Sequence, residues 1–384
     1  MHDVIVIGAG GMGSATLYHL ASSGCNVLGL EQFGIPHAYG SSHGSTRIIR
    51  LAYAEGSEYV PLVRSAYRYW QELEEMSGRK LLHITGGLDI GLETSWNVQG
   101  SRRSCLLHGL EFEELDGREV NRRFPGYRLP HSMRAVYQRR GGYLLSETAI
   151  AAHAEMARRR GAEILLETKV LGWESGARGV RVRSERGTHE AKRLVITAGA
   201  WTGGLAMSLR RFCRPERQVM LWTEPFGRSE FEPERFPVFV LDAPLGLFYG
   251  FPNHESEGFK IGKFHHLRQG VDDPGKLDRT CRPEDERVLR EGIAEYFPRA
   301  NGPRTKAAAC MFTNSPDGDF ILDRHPSHDR VFVAAGFSGH GFKFCGVVGK
   351  VMAELCLGRD PPWDIRRFRL TPERMDRWRA AGGL

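Results

Sequence analysis

Near its start the chain spells Gly8-Ala9-Gly10-Gly11-Met12-Gly13, a G-x-G-x-x-G set directly behind Asp3 and the β-branched run Val4-Ile5-Val6-Ile7. The run reads as a short buried parallel strand. The glycines read as the turn that hands it to a helix. That context turns a weak pattern into a dinucleotide fingerprint. Gly8 makes the tight turn, Gly10 lets backbone approach a pyrophosphate, and Gly13 permits close helix–strand packing. The helix runs to about Ser23, where Gly24 stops it. A second strand over 26–30 ends at Glu31, where a carboxylate would accept bonds from ribose hydroxyls and repel a 2′-phosphate.

The rest of the pattern alternates in character. Residues 57–77 have helical periodicity, 81–92 and 134–145 read as strands, and 146–160 as a helix with Ser146 as N-cap. Short strands follow at 164–166, 181–183 and 193–197. Between about 215 and 265, short strands and turns suggest an antiparallel sheet. A helix at 284–297, a buried strand at 331–335 and a helix at 346–357 close the chain. With α/β character at both ends and β-rich stretches between, the chain reads as a two-domain α/β protein. A nucleotide-binding domain is assembled from 1–84, 147–212 and 318–384. A substrate domain on an antiparallel sheet is inserted as 85–146 and 213–317.

Composition narrows the function classes. A formal charge of +7 is spread along 384 residues, and the one run, Arg158-Arg159-Arg160, ends a helix where cations suit the dipole. Nothing there calls for nucleic acid. Seven scattered cysteines form no C-x-x-C pair, which argues against a metal ribbon and fits a reducing compartment. The apolar N-terminal run is broken by glycines and lacks a cationic flank, so no export signal is read. No apolar stretch is long enough for a membrane helix. The expectation is a cytoplasmic protein.

Four further segments resemble monomeric sarcosine oxidase and its relatives, the N-methyltryptophan, pipecolate and fructosyl amino acid oxidases, in consistent order along nearly the whole chain. They are Ser42-His43-Gly44-Ser45-Thr46-Arg47-Ile48-Ile49-Arg50; Tyr249-Gly250-Phe251-Pro252 with Phe259-Lys260-Ile261-Gly262; Cys310-Met311-Phe312-Thr313; and Gly336-Phe337-Ser338-Gly339-His340-Gly341-Phe342-Lys343. The strand-to-glycine stretch ending Ala198-Gly199-Ala200-Trp201 is similar to the segment that closes over FAD in glutathione-reductase-like flavoproteins.

The resemblance implies a glutathione-reductase-like FAD domain and an oxidase of a secondary, N-methyl or cyclic, amino acid that uses oxygen and acts as a monomer. It implies FAD held by Gly8, Ala9, Gly10, Gly13, Glu31, His43, Thr46, Arg47, Val170, Ala198, Gly199, Trp201, Gly339, Gly341, Phe342 and Lys343, and attached covalently through Cys310. It implies Arg47 over the flavin, and Arg50 and Lys343 on the substrate carboxylate, for which a guanidinium fork is suited. It assigns an active-site tyrosine to Tyr249 and an oxygen-activating lysine to Lys260, with Lys263 as rival. The active-site histidine is expected at His265, with His266 one place away. Phe312 stands where some relatives carry a tyrosine. A same-fold dehydrogenase with another acceptor, and a non-catalytic FAD-binding protein, are the alternative readings.

Overall fold

The computed structural model describes residues 1–380. Two eight-stranded sheets and a small three-stranded one carry the chain. The first sheet runs Val170–Gly176, Gly179–Ser184, Gly187–Ile196, His2–Ile7, Val27–Leu30, Glu163–Leu165, with His328–Ala335 and Ile321–His325 branching from the third strand. Its centre is parallel: Val4 pairs with Val27 on one side and Arg193 on the other. Both faces are covered, which is why the first strand reads as an unbroken apolar run. Val4 and Val6 pack under the helices Gly11–Ser22, Val60–Ser77 and Cys345–Leu357, while Ile5 and Ile7 face a separate core with Leu209 and Trp378.

The second sheet runs Arg304–Asn314, Arg214–Thr223, Phe259–Lys263, Gly246–Phe251, Val238–Ala243, Gly87–Leu92, Met133–Gln138, Glu113–Asp116. Every pairing in it is antiparallel except that of Val238–Ala243 with Gly87–Leu92. Its outer face is a phenylalanine-rich core closed by the helix Pro283–Tyr296. Its inner face looks toward the first sheet.

The α/β expectation with an antiparallel second sheet holds, and three local expectations change. The strand expected over 81–92 is two strands, Leu82–Ile84 and Gly87–Leu92, in different sheets. That over 134–145 splits likewise, into Met133–Gln138 and Gly142–Leu145. The reason is a close crossing of glycines. Gly86 turns at φ +81°, and a Cβ on Gly141 would lie 2.5 Å from the Gly87 nitrogen. Ser146 does not cap its helix; it is the first helical residue, and its hydroxyl donates to Glu147 at 2.7 Å. The Glu147 carboxylate in turn accepts the Gly44 and Ser45 amides, at 2.6 Å and 3.1 Å. The acid at this helix start holds a neighbouring loop.

The glycine turn has two distinct requirements. A Cβ on Gly13 would lie 1.7 Å from the Gly8 carbonyl oxygen, backbone that has no room to yield. A Cβ on Gly10 meets nothing within 4 Å, and φ there is −69°. Gly13→Ala is therefore expected to destabilise the protein by ~3 kcal/mol, the upper range for overpacking. Gly10→Ala should stay within ~0.5 kcal/mol of the parent, as for an open site. Urea unfolding of the two variants checks this, and equal losses would contradict it.

Candidate functional site

Two cavities meet between the sheets. The larger, about 360 Å³, extends from the glycine turn past Glu31 and Val170 to Gly199, Trp201 and Gly339. The smaller, about 60 Å³, lies under the second sheet and is lined by Arg50, Tyr249, Cys310 and Lys343 among others. Arg47, Phe312, Gly339 and Phe342 line both.

The larger cavity suits a dinucleotide. Gly8 and Gly10 floor it at the start of a helix, where backbone amides attract phosphate. Glu31 is fixed by the amides of Ala9 at 2.7 Å and Phe33 at 3.0 Å, which leaves carboxylate lone pairs for hydroxyls. Ala198 closes one side, and Gly341 and Phe342 another. Thr313 Oγ1 in its wall and His43 Nε2 are buried without a hydrogen-bond partner among the described residues. Such orphans are expected where a polar group completes the site. Gly13 and Ala9 act through packing and through Glu31 rather than by lining the space.

The wall between the cavities is set by one turn. Gly44 and Ser45 adopt φ +96° and +70°, the second unusual for a residue with a side chain. With their amides on Glu147, the carbonyls of Gly44 and Thr46 face the second sheet. Lys260 Nζ donates to both, at 2.6 Å and 2.9 Å, and to Thr46 Oγ1 at 3.0 Å. The ammonium also stands 4.3 Å from the Phe251 ring centre and 5.2 Å from that of Trp222. Burial pushes its pKa well down. Lys263, three residues on, lies on the other face of the strand near Phe248, so the rival lysine is outside the site. Arg47 follows in the strand Thr46–Ile49 and is pinned by the carbonyls of Ser41 and His43, at 2.8 Å and 2.6 Å.

Strand register supplies the roof. Val240, Tyr249, Gly262, Met220 and Ala308 are successive partners across five strands and so share one face. Gly262 has to lack a side chain there, since a Cβ would lie 2.4 Å from the Tyr249 ring. Cys310 is two residues beyond Ala308, on the same face. It is buried, and burial raises its thiol pKa.

Four charged groups gather at the far end of the small cavity. Arg50 Nη1 donates to the Ala52 carbonyl at 2.8 Å, and Nη2 reaches both oxygens of Glu55 at 3.2 Å. Arg50 Nε lies 3.2 Å from Asp89. Lys343 Nζ donates to the His340 carbonyl at 2.8 Å and to Tyr53 at 3.4 Å. Burial lowers the Lys343 pKa to about 7 and raises that of Asp89 to about 6. For Glu55 burial is outweighed by Arg50, His340 and Lys343, and its pKa falls to about 2.

Neither histidine joins the site, which corrects the expectation of one at His265 or His266. His265, at φ +53°, turns outward, is 53% exposed in its side chain and pairs with Glu216 at 2.9 Å. His266 is buried against Asp285 at 3.1 Å, beside the Arg217–Asp285 ion pair. Sequence reading missed Tyr53, Glu55 and Asp89. Asp89 left a trace, an acid inside the otherwise apolar strand Gly87–Leu92, where an unpaired charge is costly. Glu55 left none.

The family described as FAD dependent oxidoreductase matches residues 3–355. Monomeric sarcosine oxidase of Streptomyces avermitilis is 41% identical over 93% of this chain and 94% of its own length. N-methyl-L-tryptophan oxidase of Yersinia pestis is 35% identical over 96% and 98%. Among solved structures, NikD, an unusual amino acid oxidase essential for nikkomycin biosynthesis, superposes with a TM-score of 0.83 at 24% identity over 96% of this chain and 97% of that one. The L-proline dehydrogenase of P. horikoshii gives 0.83 at 21% over 98% of each. The two structures speak for the fold alone.

Proposed function

Because this chain belongs to the FAD-dependent oxidoreductase family, its match spanning residues 3–355, we propose that it is a flavin-dependent oxidase of secondary amino acids, N-methyl or cyclic, with oxygen as acceptor. The observation that carries the reading is the small cavity. It opens on the cofactor cavity through Arg47, Phe312, Gly339 and Phe342, and holds Arg50 and Lys343 at its far end. The relatives named for sarcosine and N-methyl-L-tryptophan support it.

FAD, when bound, would supply the redox chemistry, as acceptor of a hydride equivalent from the carbon beside the substrate nitrogen and donor of two electrons to oxygen. The chain does the rest. Arg50 and Lys343 hold the carboxylate, which fixes the substrate along the cavity and leaves its amine end toward the shared wall. Tyr249, Met220 and Phe312 keep water from the reacting carbon. The imine product is hydrolysed in water. Lys260 lies apart from the substrate cavity on the 44–46 turn and offers a buried cation to negative charge growing on oxygen, an interaction strengthened where water is excluded. Cys310 is assigned as the covalent anchor for the cofactor. The working unit is read as one chain, after the relatives named monomeric. No two of the seven cysteines are joined in a disulfide, which supports a reducing, cytoplasmic setting.

Three outcomes test this. Sarcosine, pipecolate, proline and N-methyl aromatic amino acids should be compared with their methyl amides, following peroxide continuously. Amidation of a good substrate should cost about 100-fold or more in kcat/KM, since bonds to charged groups contribute about 1.5–3 kcal/mol each. Arg50→Ala should erase that discrimination, and simple amines reacting as well as the acids would defeat the amino-acid reading.

Acid precipitation of the wild type should leave a yellow pellet, while Cys310→Ser should release its colour or never acquire it. Flavin washing freely out of the wild type would exclude the thioether.

Lys260→Met should slow flavin reoxidation by orders of magnitude in stopped flow and leave anaerobic reduction much less changed. Equal loss in both half-reactions would make Lys260 a structural residue.

A further inference from the structure

Arg50 is already committed to partners within its own chain, and one of them has no part in the chemistry so far described. Asp89 belongs to the strand Gly87–Leu92. Its neighbours Leu88 and Ile90 point into the outer core of the second sheet, so Asp89 points inward. Its cross-strand partner is Val240, whose own partner is Tyr249. Asp89 therefore continues the row of residues that roofs the small cavity. Its carboxylate is buried, 2% exposed, and lies 3.2 Å from Arg50 Nε. The contact is Coulombic rather than an aligned hydrogen bond, since Asp89 Oδ1 has no partner of hydrogen-bond geometry among the described residues. The segment behind Arg50 is held from the same sheet, where Gln138 Oε1 accepts the Leu51 amide at 3.1 Å as well as that of Ala52.

We propose that Asp89 is the positioning and charge-balancing residue of the carboxylate subsite: it holds the Nε edge of Arg50 from the roof, and it takes up a proton when a substrate carboxylate enters. This rests on the reading that the substrate carries a carboxylate.

The charge count motivates the second half. Arg50 and Lys343 are matched by Glu55 and Asp89, so an arriving carboxylate adds a third anion to a buried site with two cations. One proton from solvent, forming an O–H bond on a carboxylate, restores the balance. The groups facing Asp89 decide which acid takes it. They are Arg50 and Glu55, Ser101 and Cys105 from the helix Trp96–His108, and Lys343, with Tyr53 and His340 behind them against Glu55. Glu55 is gripped through both oxygens by Arg50 and titrates near 2, Cys105 is held up to about 12, and His340 is held down to about 4. Asp89, near 6, is the acid that changes charge in the working range, and Lys343, near 7, is the one cation that does. An anion placed beside Asp89 raises its pKa further. The sign follows: binding takes up a proton, so affinity is full below pH 6 and falls as pH rises above it.

The probe is methoxyacetate, the ether isostere of N-methylglycine, which binds as a carboxylate and has no amine to oxidise. Its Kd for the holoenzyme is read from the flavin absorbance between pH 5.5 and 8.5. Wild type, Asp89→Asn, Lys343→Met and the double variant are compared, because Lys343 also titrates in this window. In the Lys343→Met background, Kd should rise more than tenfold from pH 6 to 8, and adding Asp89→Asn should flatten that rise. In the wild-type background, Asp89→Asn should shrink the rise by about tenfold. Asn keeps an oxygen toward Arg50 and removes the titrating charge. Asp89→Leu removes both and should weaken binding about tenfold or more at every pH. Equal pH profiles with and without Asp89 would overturn the assignment while leaving the carboxylate reading standing. If methoxyacetate perturbs the flavin in none of the proteins, the carboxylate reading fails and the role of Asp89 falls with it.

Discussion

The turn at residues 44–46 is where the two sheets are fastened together, and it is held by opposite charges from opposite sides. Glu147, at the start of the helix Ser146–Arg159, collects the amides of Gly44 and Ser45. Lys260, from the middle of the second sheet, collects the carbonyls of Gly44 and Thr46. Two successive residues at positive φ make this possible, because they turn amides one way and carbonyls the other. A buried ammonium is costly. Three hydrogen bonds, at about 1.5–3 kcal/mol each for a charged donor, are of the size needed to offset that cost. Arg47 and Arg50 follow immediately in the strand Thr46–Ile49 and the residue after it. Their aim is thus fixed by where this turn is pinned.

The same arrangement explains why much of the site was legible in the sequence and part was not. The glycine fingerprint constrains backbone, and backbone constraints are local: Gly13 has to be glycine because the Gly8 carbonyl occupies the place of its Cβ. Glu31, Arg47, Arg50, Lys260, Cys310 and Lys343 fall within segments whose order and spacing are distinctive, and all lie at or beside the two cavities. Tyr53, Glu55 and Asp89 enter only through tertiary structure. Asp89 is 39 residues from Arg50 and meets it because the strand containing it pairs in parallel with Val238–Ala243, a pairing that periodicity alone does not indicate. The histidine expectation failed for a similar reason. A positive φ at His265 sends the loop away from the cavity, and nothing in the two adjacent histidines announces it. The split of two expected strands was readable in principle, since Gly86-Gly87 and Gly141-Gly142 mark both breaks.

The two buried lysines answer the same burial in different ways. Lys260 is surrounded by carbonyl oxygens and aromatic faces, with all three of its protons committed. Such a cage favours the ammonium locally even as burial opposes it, and its geometry is fixed before any oxygen arrives, so no reorganisation is needed as charge develops. Lys343 is committed to one carbonyl and one distant hydroxyl, which leaves a donor free for a ligand. Its charge depends on two carboxylates rather than on a cage. The first lysine is held in a fixed cage of acceptors, and the second keeps a donor free to respond to a ligand.

Size sets a further limit on the substrate side. The small cavity holds about 60 Å³, which is room for about four to six waters when each needs 10–15 Å³ of such space. That matches a substrate of a few heavy atoms beyond its carboxylate. An aromatic N-methyl amino acid does not fit unless the walls move. The wall offers means of moving: Met220 is unbranched and adapts its shape readily, and Phe264 stands edge-on to Tyr249 rather than stacked within a core. Phe312 is less free, because its ring packs where a side chain on Gly339 would be, and Gly339 belongs to the cofactor wall. Enlarging the cavity on the Met220 and Phe264 side leaves the cofactor cavity intact, whereas enlarging it at Phe312 disturbs both. On the proposed reading, substrate range is therefore set on the side of the roof away from the shared wall, while the carboxylate end and the cofactor end stay fixed.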